Sequence, residues 1–236
     1  TSCTLAELDG RVSKYFLNPE FSEKTSCDHI RYAYVACPDT TDTNDKNLLL
    51  KFVGLDIYSP NDDSYAVFTL TEKQGQLYIT GGYQCWARSE NTAYANGSFS
   101  GFGSSGAGSH SDELSVLLSD GRMAPVYEAR ILSGWWANEV GDAIYQEIFG
   151  QDMVSYLTVS IYTIGDSDYY LYDMSECTEE ERPLSENYIN RCRDELSINW
   201  VTAEAIKSAI QNRCAALGVN YDSILQREEP VWTDVR

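Results

Sequence analysis

Two histidines and 36 acidic residues carry most of the acid–base chemistry this 236-residue sequence can offer. A histidine-dependent triad would have to use His29 or His110. His29 heads a predicted strand, where a packed or edge role is the ordinary one. His110-Ser111-Asp112-Glu113 has the letters of a triad, yet triad members converge from separate elements rather than from consecutive positions. Carboxylate chemistry needs only two acids at a suitable separation, as in glycosidases, and so many acids make a pair easy to imagine and impossible to select. Glu128 on a predicted strand, and Glu139 and Glu147 on the helix after it, are the best placed; a solvated helix face is the plainer reading of the two on the helix. Calcium suits the composition better than a transition metal. Asp39, Asp42 and Asp45 punctuate one loop, Asn61-Asp62-Asp63 a turn, and Asp166 and Asp168 a hairpin. None meets an EF-hand pattern, and Asx turns account for the same residues.

Seven cysteines, Cys3, Cys27, Cys37, Cys85, Cys177, Cys192 and Cys214, contain no CxxC pair, so zinc-type spacing is absent and disulfides are the expected reading. Cys192 and Cys214 would be offset by roughly 10 Å along an antiparallel helix pair, which favours Cys177–Cys214 instead. Cys27 and Cys37 flank one strand and should each look elsewhere, Cys3 being a natural partner of one. An odd thiol is left either buried or paired with another chain. Gln84-Cys85-Trp86-Ala87 is similar to the nucleophile tetrapeptide of papain-type proteases, but lacks that signature's glycine and second cysteine, with no histidine at a suitable distance. Chance explains four letters better. The chain opens at Thr1 without Met, as after removal of a signal peptide. Asn96-Gly97-Ser98 is a glycosylation sequon within a Gly/Ser-rich stretch expected to form an exposed loop over 96–112. Together these features predict a secreted or extracellular glycoprotein with glycan on Asn96.

The elements follow from periodicity and turn chemistry. Thr4-x-x-Glu7 is a capping box, and Leu5, Leu8, Val12 and Phe16 share one helical face, so 4–16 reads as an amphipathic helix. Strands are expected at 29–36, 48–58, 64–71 and 75–87, the last three forming an antiparallel meander. In it Tyr65, Val67 and Thr69 face one side and Ala66, Phe68 and Leu70 the other. Another strand at 123–132 precedes a helix at 135–149, and strands at 153–164 and 168–174 flank the hairpin signal Gly165-Asp166-Ser167. Helices at 184–196 and 202–217 make a helical C-terminal region over about 178–228. The tally is an α+β fold, a mostly antiparallel central sheet with flanking helices, in one disulfide-bonded domain over 1–236.

A net charge of −19 repels phosphate backbones and anionic lipid surfaces, which excludes nucleic acid as a partner. No apolar run approaches the roughly 20 residues of a membrane-spanning helix. Seventeen tyrosines and five tryptophans cluster on the predicted strands. Rings of this kind suit protein interfaces and sugar-binding faces. Tyr169 lies on one face of the 168–174 strand and Tyr170 and Tyr172 on the other, so that strand needs cover on both sides. With Trp86 these three are the candidate binding residues. The function expected is a non-enzymatic protein that works by binding or self-assembly, with itself or another extracellular protein as partner. A carboxylate-dependent hydrolase and a small-ligand carrier are the alternatives.

Overall fold

The computed structural model describes residues 4–235 apart from 18, 21, 60, 62 and 151–155. The fold is α+β with two antiparallel sheets. The chain forms two compact units, one drawn from Thr1–Gly101, Ser115–Ala124 and Ala215–Arg236, the other from Phe102–Leu114 and Pro125–Cys214.

In the first unit, helix α1 (Leu5–Phe16) starts on the capping box read from the sequence. The Glu7 amide donates to Thr4 Oγ1 at 3.2 Å and the Thr4 amide donates to the Glu7 carboxylate at 2.7 Å, satisfying two of the amides a helix start leaves unpaired. Strands β1 (His29–Ala36), β2 (Lys46–Val53), β3 (Tyr65–Lys73) and β4 (Gln76–Cys85) form an antiparallel meander, and β11 (Thr233–Asp234) pairs with the outer side of β1. The alternation expected of β3 is realised. Ala66 and Leu70 pack with Ile30, Leu50 and Phe52 beneath α1, whereas Val67 packs on the opposite face with Val35, Leu49, Phe99 and Leu117. Two apolar faces explain why Leu48-Leu49-Leu50 is a continuous run rather than an alternating one.

The second sheet has the order β10-β9-β8-β7-β6-β5. Its strands are β5 (Ser89–Ala93), β6 (Ser98–Gly106), β7 (Ser109–Leu117), β8 (Met123–Ser133), β9 (Thr158–Ile164) and β10 (Ser167–Asp173). The core of the second unit joins Leu132, Val159 and Ile161 of this sheet to Tyr145 and Phe149 of α2 (Asp142–Phe149) and to Tyr188, Ile189 and Cys192 of α3 (Arg182–Leu196). Helix α4 (Ala203–Ala216) follows and turns Ile206, Ile210 and Cys214 inward.

Four expectations are corrected. The stretch 96–112 is largely β6 and β7, not a loop: Gly and Ser weaken strand propensity but do not forbid the ladder once neighbouring strands supply the hydrogen bonds. The helix expected at 135–149 is a 3-10 helix (Gly134–Val140) and then α2. They part at Gly141, where an added Cβ would stand 3.0 Å from Leu196 Cδ1 and 3.1 Å from Cys192 Sγ, so that a larger residue would push these α3 side chains back by a few tenths of an ångström. The strand expected from 153 begins at Thr158, its first residues lying outside the described ones.

The fourth correction is chemical. Cys27, Cys37, Cys85, Cys177, Cys192 and Cys214 are all buried, and neither Cys177–Cys214 nor any other bridge joins one of these described cysteines to another; Cys3 lies outside the described residues. Each is placed as a small hydrophobe. Cys27 sits in the core beneath α1, and Cys177 and Cys192 sit in the core of the second unit. The polar contacts of the sulfurs are with other groups. Cys37 Sγ accepts from Asn47 Nδ2 at 3.3 Å, Cys85 Sγ from the Asn91 amide at 3.0 Å, and Cys177 Sγ lies 3.6 Å from Ser185 Oγ. The cysteines therefore no longer support the oxidising compartment expected from their number.

Candidate binding cleft

The aromatic strand singled out in the sequence lines a cleft in the second unit. β10 is the last strand of its sheet, and its register on β9 sets Tyr170 opposite Ile161 and Tyr172 opposite Val159. Both tyrosines therefore lie on the face that α3 covers, and Tyr169, opposite Tyr162, lies on the other. The free edge of β10 is met by the chain leaving α3. That helix ends at Ser197, whose left-handed backbone (φ 57°, ψ 30°) reverses the chain. The Val201 amide then donates to the Tyr170 carbonyl at 2.9 Å. Trp200 is thereby held against the strand, its ring edge-to-face with Tyr172 at 5.5 Å and with Tyr170 at 6.1 Å, while its indole N–H donates to the Ile189 carbonyl at 3.1 Å.

Tyr172 and Trp200 thus form one wall of a cleft of about 470 Å³, with Ile189, Asn190 and Arg193 of α3 opposite and Asn199 and Thr202 at the turn. The volume lies within the usual range for small-molecule sites. Arg193 is held in place by two bonds, one to Asp194 Oδ1 at 3.0 Å and one to Asn190 Oδ1 at 2.8 Å. In the core that α3 shares with α2, Tyr188 is fully buried and donates to the Ala137 carbonyl at 2.8 Å. Burial, with the neighbouring Cys192 thiol, pushes its phenol far above the usual range, so it remains a neutral donor. The walls offer aromatic area, two side-chain amides, the hydroxyls of Tyr172 and Thr202 and one guanidinium, and none of the described residues lining them is a carboxylate.

The other candidates are dispersed. Trp86 belongs to the first unit, where it stacks on Tyr58 with ring centroids 4.8 Å apart. Glu139 is bound by Arg130 at 2.9 Å, and Glu147 is bound by Arg191, itself bonded to Glu195. The Glu113 carboxyl is raised, by burial first and then by the charges of Glu128 and Asp112. Strand alternation breaks up the triad-like letters: His110 stacks on Phe102 at 5.6 Å, Asp112 accepts from the Tyr127 hydroxyl at 3.0 Å, and Glu113 points to the opposite face from Asp112. His29 is an exposed strand end.

The aspartates of the first loop act on backbone and hydroxyl groups. Asp39 accepts from the Ser119 amide and hydroxyl, both at 2.8 Å; Asp42 accepts from the Asn44 amide, and Asp45 from Thr40 Oγ1. Asp168 accepts from Thr163 Oγ1 at 2.7 Å. Asp62 lies outside the described residues. Among the described residues no three His, Cys, Asp or Glu side chains converge as metal ligands. Asn96 Nδ2 donates to the Ser223 and Gln226 carbonyls, both at 2.8 Å, and Ser98 is buried, so a glycan on Asn96, which leaves the amide a single N–H, would displace at least one of these bonds.

The cleft residues beyond β10 were not singled out in the sequence: Asn190, Arg193, Asn199 and Trp200. Only Trp200 carried a signal, as a tryptophan between two helices. No family model, no curated protein and no solved structure matches this chain.

Proposed function

We propose that this protein acts by binding, and that the cleft between β10 and α3 takes a neutral, hydroxyl-rich ligand of saccharide size. The observation that carries this reading is the pairing of Tyr172 and Trp200 against Asn190, Asn199 and Arg193 around about 470 Å³. Ring faces stack on the apolar face of a sugar ring, while amides and a guanidinium bond its hydroxyls. None of the described lining residues is a carboxylate that could serve as acid or base, which favours binding over hydrolysis. Tryptophan fluorescence titrated with mono- and disaccharides at millimolar concentration tests it. A saturable change that disappears in Trp200→Phe supports the reading; a flat response across neutral and amino sugars ends it.

Self-association is a second reading, favoured by a different observation from the one expected. β4 is the last strand of its sheet and leaves Leu77, Tyr78 and Ile79 about half exposed, beside a groove of about 370 Å³ whose lining includes Tyr15, Phe16 and Phe68. Apolar edge strands invite pairing with another copy. Native mass before and after Ile79→Lys tests this; a parent monomeric at micromolar concentration refutes it.

A further inference from the structure

We propose that Lys51, in the first unit, is a nucleophilic amine that forms a Schiff base with small neutral carbonyl compounds entering the pocket it shares with Tyr65, Tyr83, Glu90, Glu229 and Trp232. Lysine is seldom found facing a sheet core. Here the β1-β2-β3-β4 register aligns Arg31, Lys51, Val67 and Tyr83 in one cross-strand row, so Lys51 lies on the face packed with Val35, Val67 and Phe99. Its ammonium nitrogen stands 3.6 Å from the centroid of the Tyr65 ring and 5.5 Å from that of Trp232. Among the described residues it makes no hydrogen bond and no ion pair, although two carboxylates line the same pocket. The ring faces favour the ammonium form, but with no hydrogen bond or ion pair to tie it down, the nitrogen has its lone pair available once the proton leaves.

The pocket measures about 110 Å³, enough for a molecule of a few heavy atoms. Its charge selects the substrate class. Two carboxylates outweigh one amine, so an anion is repelled and a neutral carbonyl is admitted. The two rings contribute apolar walls, and the Tyr65 hydroxyl is already committed to the Asn91 carbonyl at 3.0 Å. The protonation state agrees with the geometry: burial lowers the Lys51 amine from its ordinary value, and nearby Arg31 adds to this against the opposing charges of Cys85 and Glu229. In the reaction the amine lone pair attacks the carbonyl carbon and the carbonyl π electrons move to oxygen. The nitrogen then gives up its two protons and the oxygen leaves as water, with Glu90 or Glu229 as the carboxylate that relays a proton. No oxidant or reductant enters the step.

The test uses the intact protein, propanal and cyanoborohydride near neutral pH, with peptide mass mapping over the six lysines. Lys51 should be alkylated faster than the exposed Lys14 and Lys207, the direction expected when burial lowers an amine from its ordinary value. Its rate should level off at lower pH than that of a free lysine amine. Glyoxylate, an anionic aldehyde, should label Lys51 less than propanal does. Labelling of Lys51 no faster than that of Lys14 and Lys207, or glyoxylate matching propanal, overturns the proposal.

Discussion

Six buried thiols with no bridge between them give a prediction whose size follows from the structure. Cys37 has its sulfur beside Asn47, and burial, reinforced by the charges of Asp39 and Asp45, moves its thiol from 9.0 up to about 11. Alkylation proceeds through the thiolate. At pH 8 an ordinary protein thiol is about one-tenth ionised, whereas one at 11 is ionised about one part in a thousand, so the native Cys37 should react about 100-fold more slowly from this cause alone. Burial slows every reagent as well, so the pH profile separates the two causes. The iodoacetamide rate at Cys37, followed by peptide mass mapping in the native protein, should rise about tenfold per pH unit through pH 10 without levelling off. Levelling off near 9, or a native rate equal to that of the unfolded chain, would refute the electrostatic account.

Linkage fixes the sign for stability. The folded thiol holds its proton where the unfolded one has lost it, so the contribution is complete below about pH 9 and is lost as pH rises toward 11. Burial also raises Cys85, Cys192 and Cys214, and the Tyr65, Tyr83 and Tyr188 phenols rise for the same leading reason. Urea midpoints should therefore fall together above pH 9. Thiol counting on unfolded, unreduced protein should find all six described cysteines reactive; two missing would mean a bridge.

Three substitutions probe the scaffold, each read from urea midpoints at unchanged slope. Tyr188→Phe leaves the Ala137 carbonyl without its 2.8 Å donor in a closed core and should cost about 1–2 kcal/mol, against no measurable change if that bond is idle. Thr4→Ala removes one half of the capping box and should cost about 1 kcal/mol, a loss that Thr4→Ser should largely restore. Asp56, nearly buried, accepts from Lys24 at 3.0 Å, Ser22 at 2.9 Å and the Asn61 amide at 3.1 Å, so Asp56→Ala should cost about 2–3 kcal/mol; a loss below 1 kcal/mol would mean that solvent screens the cluster.

The sequence by itself determined most of the elements and little of the chemistry. The capping box at Thr4 and Glu7, the meander through β2, β3 and β4, and the two C-terminal helices were legible because each depends on residues within one or two turns of one another. Even the two faces of β3 were readable from alternation. Strands β6 and β7 were not: a run of Gly and Ser has no periodicity of its own, and only partner strands make it a ladder. The cysteines read as disulfide partners with one thiol left over, because a count of thiols is the same whether they bond one another or, like Cys27, pack among Val12, Ile30 and Leu55.

The cleft and the lysine pocket belong to tertiary structure alone. Tyr172 and Trp200 meet because Ser197 turns the chain back and Val201 bonds the Tyr170 carbonyl, a reversal that no local propensity requires. Lys51 reads in sequence as one charge after a leucine run; the sheet register turns it inward beside Tyr65 and Trp232. Local hydrogen bonding and side-chain periodicity are properties of a short segment. A side chain's neighbours, and with them its exposure, partners and protonation, are set only when distant segments close around it.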